Sequence, residues 1–194
     1  MKIMDILLII SASIPLLALF FLCYELNRNG KNIIGKPTVS SVLFYSEIII
    51  KVLVFLCILI IVIRPEFFRF FPWLIFKKVF GIQRYSSLLL LLSGDFILLS
   101  AYYAMGIFTR IGLPFSIHVL ITNRIYRYSR NPMVLSFYLF STACLLLIPS
   151  LLLVPFIIFS LIIQHKMILR EEKYLFSVLG SGYLAYKKKT PRYL

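Results

Sequence analysis

Charge is what this sequence has least of. Charged residues make up 14% of the chain and hydrophobic residues 61%, whereas a soluble domain carries about a quarter charged residues. The apolar residues fall in long blocks rather than a short-period pattern, which excludes an ordinary soluble fold. Acidic residues are scarce, 7 against 21 basic ones, for a formal net charge of +14. In a soluble chain that excess would point to nucleic acid. Here the basic residues flank apolar blocks, so the expected partners are membrane lipids with anionic headgroups, and no nucleic acid. Cysteine is also sparse. Cys23, Cys57 and Cys144 lie inside apolar blocks, with neither the spacing of a disulfide framework nor that of a metal site. They read as small core hydrophobes. No internal repeat is present, which disfavours a non-enzymatic transport or assembly protein built on inverted repeats.

What is present is a series of candidate spans. A bilayer core of about 30 Å needs roughly 20 apolar residues as helix. Block 3–25 is too long, and too soon followed by further spans, to be a signal peptide alone, and no small-residue cleavage site follows it. Blocks 40–63 and 86–108 are the second and third. The stretch 66–85 is rich in Phe but interrupted by Arg69, Pro72, Lys77 and Lys78, as in an amphipathic segment lying at the interface. Block 133–163 has no charge. As one helix it would be about 46 Å long, too much for a single ordinary span. Pro149 and Ser150 sit near its middle, and a proline inside a helix removes a hydrogen bond and clashes with the preceding turn. The pattern predicts a tight helical hairpin, 132–148 and 150–169, with Pro155 kinking its second arm.

The expected fold is therefore all-α: one membrane-embedded domain, 1–194, with five transmembrane helices. The last two form a hairpin, followed by a cytosolic C-terminal cofactor-binding segment. Residues 1–108 supply three helices and the interfacial segment at 66–85, and 109–194 the catalytic region. With the N-terminus outside, fourteen basic residues fall inside and six outside, as the positive-inside rule favours. The hairpin returns the chain to its own side, so the 109–131 loop and the 170–194 tail share the cytosolic face.

Those two segments read HVLITNRIYRYSRNPM from His118 and REEKYLFSVLGSGYLAYKKKTPRYL from Arg170. The ordered set Leu120, Ile121, Thr122, Tyr126, Arg130, Pro132, then Glu171, Glu172, Leu175, Gly180, Tyr183, Tyr186 and Arg192 resembles the isoprenylcysteine carboxyl methyltransferase family of integral membrane enzymes. The likeness covers roughly the last 80 residues, and the short chain suits a prokaryotic member in the cell membrane. The pattern departs at Asn131, where histidine is usual, at Asn123 and Arg124, which displace a glycine, and at Val134, where tyrosine is usual. Contacts at these positions are expected through the backbone.

The resemblance implies S-adenosyl-L-methionine as methyl donor, with S-adenosyl-L-homocysteine as product. It implies a lipid-linked acceptor, in this family the carboxylate of a prenylated cysteine. By alignment His118, Val119, Leu120, Ile121 and Tyr126 line the cofactor. Arg130, Asn131, Pro132, Met133 and Val134 close over it, and Glu171 and Glu172 complete the site. Arg170 and Glu171 are the catalytic candidates. The residue types fit this chemistry. Pro132 is placed for the first position of a helix and Asn131 for its N-cap, where free amides suit a carboxylate. Glu171 suits an amino group or ribose hydroxyls. No metal is required: a carboxylate is already a nucleophile, and the work is alignment of acceptor oxygen, methyl carbon and sulfur. A cation should orient the acceptor, with Arg170, Arg127 and Arg130 as candidates.

Other readings stand beside these. A phospholipid amine N-methyltransferase would share the cofactor motif, but an amine acceptor must lose a proton and would want a base. A sterol-reductase-like enzyme shares part of the C-terminal pattern, in longer chains. Arg124 reads as a positive-inside anchor and the tail tyrosines as interfacial anchors. Gly180 to Gly182 reads as a helix C-cap followed by a turn. Glu47 and Lys51 share a helical face, with Asp95 expected at similar depth. Lys51 is expected to pair with Glu47, Asp95 or both, either clamping spans two and three together or lining a substrate path.

Overall fold

A computed structural model describes residues 3–30, 34–64, 66, 81–109, 111–113 and 120–194. Its six α-helices are α1 (Ile3–Arg28), α2 (Ser41–Ile63), α3 (Gly81–Met105), α4 (Pro132–Leu147), α5 (Leu153–Leu179) and α6 (Ser181–Lys189). Among the described residues the β-pairing is confined to isolated bridges, Ile34 with Ile111 and Lys36 with Leu113. The described residues form an all-helical fold, as the long apolar blocks predict. Among the described residues four helices, α1, α2, α3 and α5, are long and apolar enough to cross a membrane. Helix α4 has 16 residues, about 24 Å, less than a full bilayer core. Their outward faces are apolar. Phe20, Val42 and Phe96 are each more than 70% exposed, an arrangement that suits lipid rather than water.

The bundle is held by apolar contacts between helices. Helix α4 packs chiefly along α3, while α1 contacts both α2 and α3, and α5 contacts α2 and α4. The core includes Leu8, Phe55, Ile58, Leu91, Leu98, Phe140, Ala143 and Cys144. Cys144 is buried in it, as its apolar setting predicts. The tight meeting of α3 and α4 depends on Gly94: a Cβ there would lie 2.5 Å from Cε1 of Phe140. Phe140 cannot swing aside, because it is fully buried and packed edge-on against Phe55 and Phe137 at centroid distances of 5.0 and 6.0 Å.

The chain reverses after α4 at Ile148 to Leu152, where the Leu152 amide donates to the Ser150 hydroxyl at 3.3 Å. The helical hairpin exists, with Pro149 at its turn. Pro155, however, is the third residue of α5. In a first turn the missing N–H has no intrahelical partner to lose, so Pro155 starts the helix rather than kinking it. Helix α5 also continues ten residues past 169, to Leu179. Gly180 caps it with φ of 51°, and α6 begins at the next residue, where the sequence had suggested a turn. Helix α3 starts at Gly81, so 81–85 are helical; the rest of the expected interfacial segment, 67–80, lies outside the described residues.

Candidate active site

One cavity gathers the segments that the sequence had set side by side. Its wall includes Leu120, Ile121, Tyr126, Arg130, Asn131, Pro132, Met133 and Val134 from the 120–134 stretch. Glu171, Glu172, Tyr183 and Tyr186 line it from α5 and α6. Ten of the expected site residues thus meet in one place. His118 and Val119 lie outside the described residues. Arg170 does not line the cavity. Its guanidinium donates to the Thr38 carbonyl at 2.8 Å and ties α5 to the segment before α2. Geometry explains the split: adjacent helical residues point about 100° apart. The cavity takes from α5 the stripe Gln164, Met167, Ile168, Glu171, Glu172 and Leu175, with the i, i+3, i+4 spacing of one helix face. Arg170 is off that stripe.

Glu172 is the hub of the polar end. Arg192 donates to it through Nε at 2.8 Å and Nη2 at 2.9 Å. Arg130 Nη1 lies 2.8 Å from the same carboxylate and also donates to the Tyr183 hydroxyl at 3.1 Å. Two guanidinium groups on one carboxylate make strong, directional bonds. The Glu172 hydrogen bond holds the Arg192 pKa above its ordinary value. Both carboxylate oxygens are therefore committed to fastening the tail. Glu171, one position earlier, is half-buried and faces the cavity.

The tail is fastened to the loop at several points. The Arg130 amide donates to the Pro191 carbonyl at 3.0 Å. Asn131 Nδ2 and the Ser129 hydroxyl donate to the Arg192 carbonyl at 3.2 and 3.3 Å, and the Thr190 hydroxyl donates to the Arg127 carbonyl. The Tyr186 hydroxyl donates to the Tyr126 carbonyl at 2.6 Å. Tyr183 and Tyr186 are buried, so they are site walls, not interfacial anchors. Burial raises both phenols, Tyr186 to about 12, so they remain neutral donors. Arg124 stacks on the Tyr103 ring with its guanidinium carbon 4.0 Å from the centroid, away from this network.

The start of α4 is open to a ligand. Pro132 occupies its first turn and Asn131 is the N-cap residue, as the sequence predicts, yet no side chain caps the helix. The Val134 and Leu135 amides both donate to the Asn131 carbonyl, while the Asn131 side chain is turned to Arg192. The Arg130 side chain is 7% exposed, and its Nε is buried with no partner among the described residues. A buried donor without a partner is costly unless something else completes it. A carboxylate at the positive end of α4, beside Arg130 Nε, would supply what both lack.

At its other end the cavity becomes apolar, with Met105, Phe108, Ile111, Phe137 and Met167 in its wall. A second cavity, lined almost entirely by apolar side chains of α1 to α4, adjoins it and shares Lys51, Ile111, Met133 and Phe137. Sequence reasoning missed Gln164, Met167 and Ile168; helical spacing back from Glu171 and Glu172 was the signal that could have found them. Lys51 pairs with Glu47 at 3.1 Å, one of the expected pairings. Asp95 instead accepts a hydrogen bond from Ser11. Glu47 is joined to Ser160 of α5 at 2.7 Å, so the clamp connects α2 to α5, not spans two and three.

The chain is 30% identical over 133 residues to the protein-S-isoprenylcysteine O-methyltransferase of Schizosaccharomyces pombe (strain 972 / ATCC 24843), an alignment covering 62% of this chain and 53% of that protein. The chain thus spans about half the length of this curated relative. No solved structure matches it. Residues 82–181 match the family model described as phospholipid methyltransferase. That stretch covers 100 of the 194 residues and takes in the α4 start, the hairpin and both glutamates, and on this match the chain belongs to the phospholipid methyltransferase family.

Proposed function

We propose that this protein is a multi-pass membrane enzyme that transfers a methyl group from S-adenosyl-L-methionine to a lipid-linked acceptor, the carboxylate of a prenylated cysteine. The observation that carries the reading is the two-ended cavity. A polar end built from Arg130, the α4 start and Glu171 runs into an apolar end at Phe137 and Met167. A polar cofactor and an acceptor with a long apolar tail need such a pair of environments side by side. The similarity to an isoprenylcysteine methyltransferase favours the carboxylate acceptor.

The residues divide the work. Arg130 Nε, with the Met133 amide and the positive end of α4 beside it, would hold the donor's carboxylate. Glu171 would accept hydrogen bonds from its amino group or ribose. Leu120, Ile121 and Tyr126 would exclude water from it, and His118 and Val119 are assigned to the cofactor by the resemblance alone. The cofactor supplies an electrophilic methyl on a sulfonium. The protein supplies alignment of the acceptor oxygen with that methyl. The second cavity, between α1 and α4, would take the lipid tail from the bilayer. In this reading α4 is a fifth, short crossing, the C-terminus is cytosolic, and the protein sits in the cell membrane of a prokaryote. The family description supports a second reading, methylation of a phospholipid amine. That chemistry needs a base, and Glu172 is committed to Arg130 and Arg192.

Calorimetry of the purified protein with S-adenosyl-L-homocysteine tests the cofactor assignment. Saturable binding that weakens about tenfold in Glu171→Gln is expected; no binding at any accessible concentration would sink it. A labelled-methyl assay comparing N-acetyl-S-farnesylcysteine with phosphatidylethanolamine then decides the acceptor.

A further inference from the structure

Of the residues that line the second cavity, Lys51 is the one that carries charge. It also lines the first cavity, on the wall the two share. Glu47, its partner, lines neither cavity and is fully buried. Its position is fixed from behind, because Ser160 donates to Glu47 at 2.7 Å and Gln164 donates to Ser160 at 3.2 Å. The pair therefore presents only its positive end to the cavities. An ammonium has three donors. Glu47 pairs with it as an ion at 3.1 Å, and the Phe137 ring lies against the charge, 4.5 Å from centroid to Nζ. The hydroxyl of Thr109, buried in the wall of the apolar cavity, has no partner among the described residues.

An intramembrane cation at the wall between an apolar cavity and a polar one, even when paired from behind by a carboxylate, is a candidate for function. A tail-bearing anion suits it: the tail fills the apolar cavity and the anionic head rests on Lys51. A carboxylate there is nearer to the ammonium than to Glu47 behind it, so attraction exceeds repulsion because Coulomb energy falls with distance. An amine head meets the opposite sign, which makes Lys51 a device for rejecting as well as for binding. Resting on the acceptor reading above, we propose that Lys51 binds the acceptor's carboxylate and sets the preference for an anionic over an amine acceptor. It takes the orienting role expected of Arg170, Arg127 or Arg130.

The test is binding of N-acetyl-S-farnesylcysteine and of its uncharged methyl ester to the full chain in nanodiscs, with S-adenosyl-L-homocysteine binding measured in parallel. The wild type is expected to prefer the acid at least tenfold. Lys51→Met should abolish that preference while S-adenosyl-L-homocysteine affinity stays within twofold, and Lys51→Arg should restore most of it. Because Lys51→Met leaves Glu47 buried without its partner, the double variant Glu47→Gln, Lys51→Met is measured alongside and should behave alike. Equal binding of acid and ester by the wild type, binding of neither, or a preference that survives both variants would overturn the assignment. So would wild-type preference for phosphatidylethanolamine over the acid. Failure of S-adenosyl-L-homocysteine to bind would sink the methyltransferase reading instead, and the acid–ester comparison still decides Lys51.

Discussion

Arg192 grips Glu172 with both arms of its guanidinium, at 2.8 and 2.9 Å, and its carbonyl holds the Asn131 side chain at 3.2 Å. One residue of the tail thus secures both the deepest carboxylate of α5 and the N-cap position of α4. Arg192→Ala should release the tail from both. The expected cost is about 1.5–3 kcal/mol, the range for hydrogen bonds to charged groups. It falls toward the lower end because 29% of the Arg192 side chain is open to solvent, which screens the pair. Thermal unfolding in detergent should show a lowered midpoint, and S-adenosyl-L-homocysteine affinity should fall at least threefold. An unchanged midpoint with unchanged affinity would mean that the tail does not hold the loop.

The neighbouring glutamates should separate by readout. Glu172 is committed to Arg130 and Arg192, so Glu172→Gln should act mainly on stability, leaving the buried Arg130 and the partly exposed Arg192 short of their counter-charge. Glu171→Gln should lower the unfolding midpoint less than Glu172→Gln does and weaken S-adenosyl-L-homocysteine about tenfold. Calorimetry and thermal unfolding on both variants check this. Equal loss of stability in the two would show that Glu171 is as structural as its neighbour.

Much of this was legible because it is local. Proline lacks an N–H, so it suits a helix's first turn and a break between helices: Pro132 marks the start of α4 and Pro149 the hairpin turn. Long-range partners were less so. Tyr183 and Tyr186 look like interfacial anchors in an amphipathic tail, and only the docking of α6 against the 124–131 loop buries them. The Ser11 partner of Asp95 is 84 residues away, beyond any periodicity. Arg170 misled for a geometric reason. It adjoins Glu171 in sequence, but one helical step turns its side chain toward Thr38.

Gly94 should tolerate no side chain. Its Cβ position is 2.5 Å from a Phe140 ring that has nowhere to go. Gly94→Ala should cost about 1–3 kcal/mol, the usual penalty of overpacking a dense core, seen as a lower unfolding midpoint. Shortening the opposing side chain with Phe140→Leu should recover part of it, since contacting positions are not additive. A Gly94→Ala protein as stable as wild type would mean that α3 and α4 are not in such close contact.

Arg170→Ala tests where the acceptor is held. Arg170 is outside the cavity wall and bonded to the Thr38 carbonyl at 2.8 Å. Its loss should loosen the segment before α2 without removing a group from the site. Methyl transfer to N-acetyl-S-farnesylcysteine should keep its KM within about twofold, a change of under ~0.5 kcal/mol in binding, while the unfolding midpoint falls modestly. Lys51→Met should show the reverse pattern, a raised KM. The two positions are thus opposite arms of one experiment. If Arg170→Ala raises KM tenfold with the midpoint unchanged, the acceptor's carboxylate is oriented from α5, and the cation in the shared cavity wall belongs to the α2–α5 clamp alone.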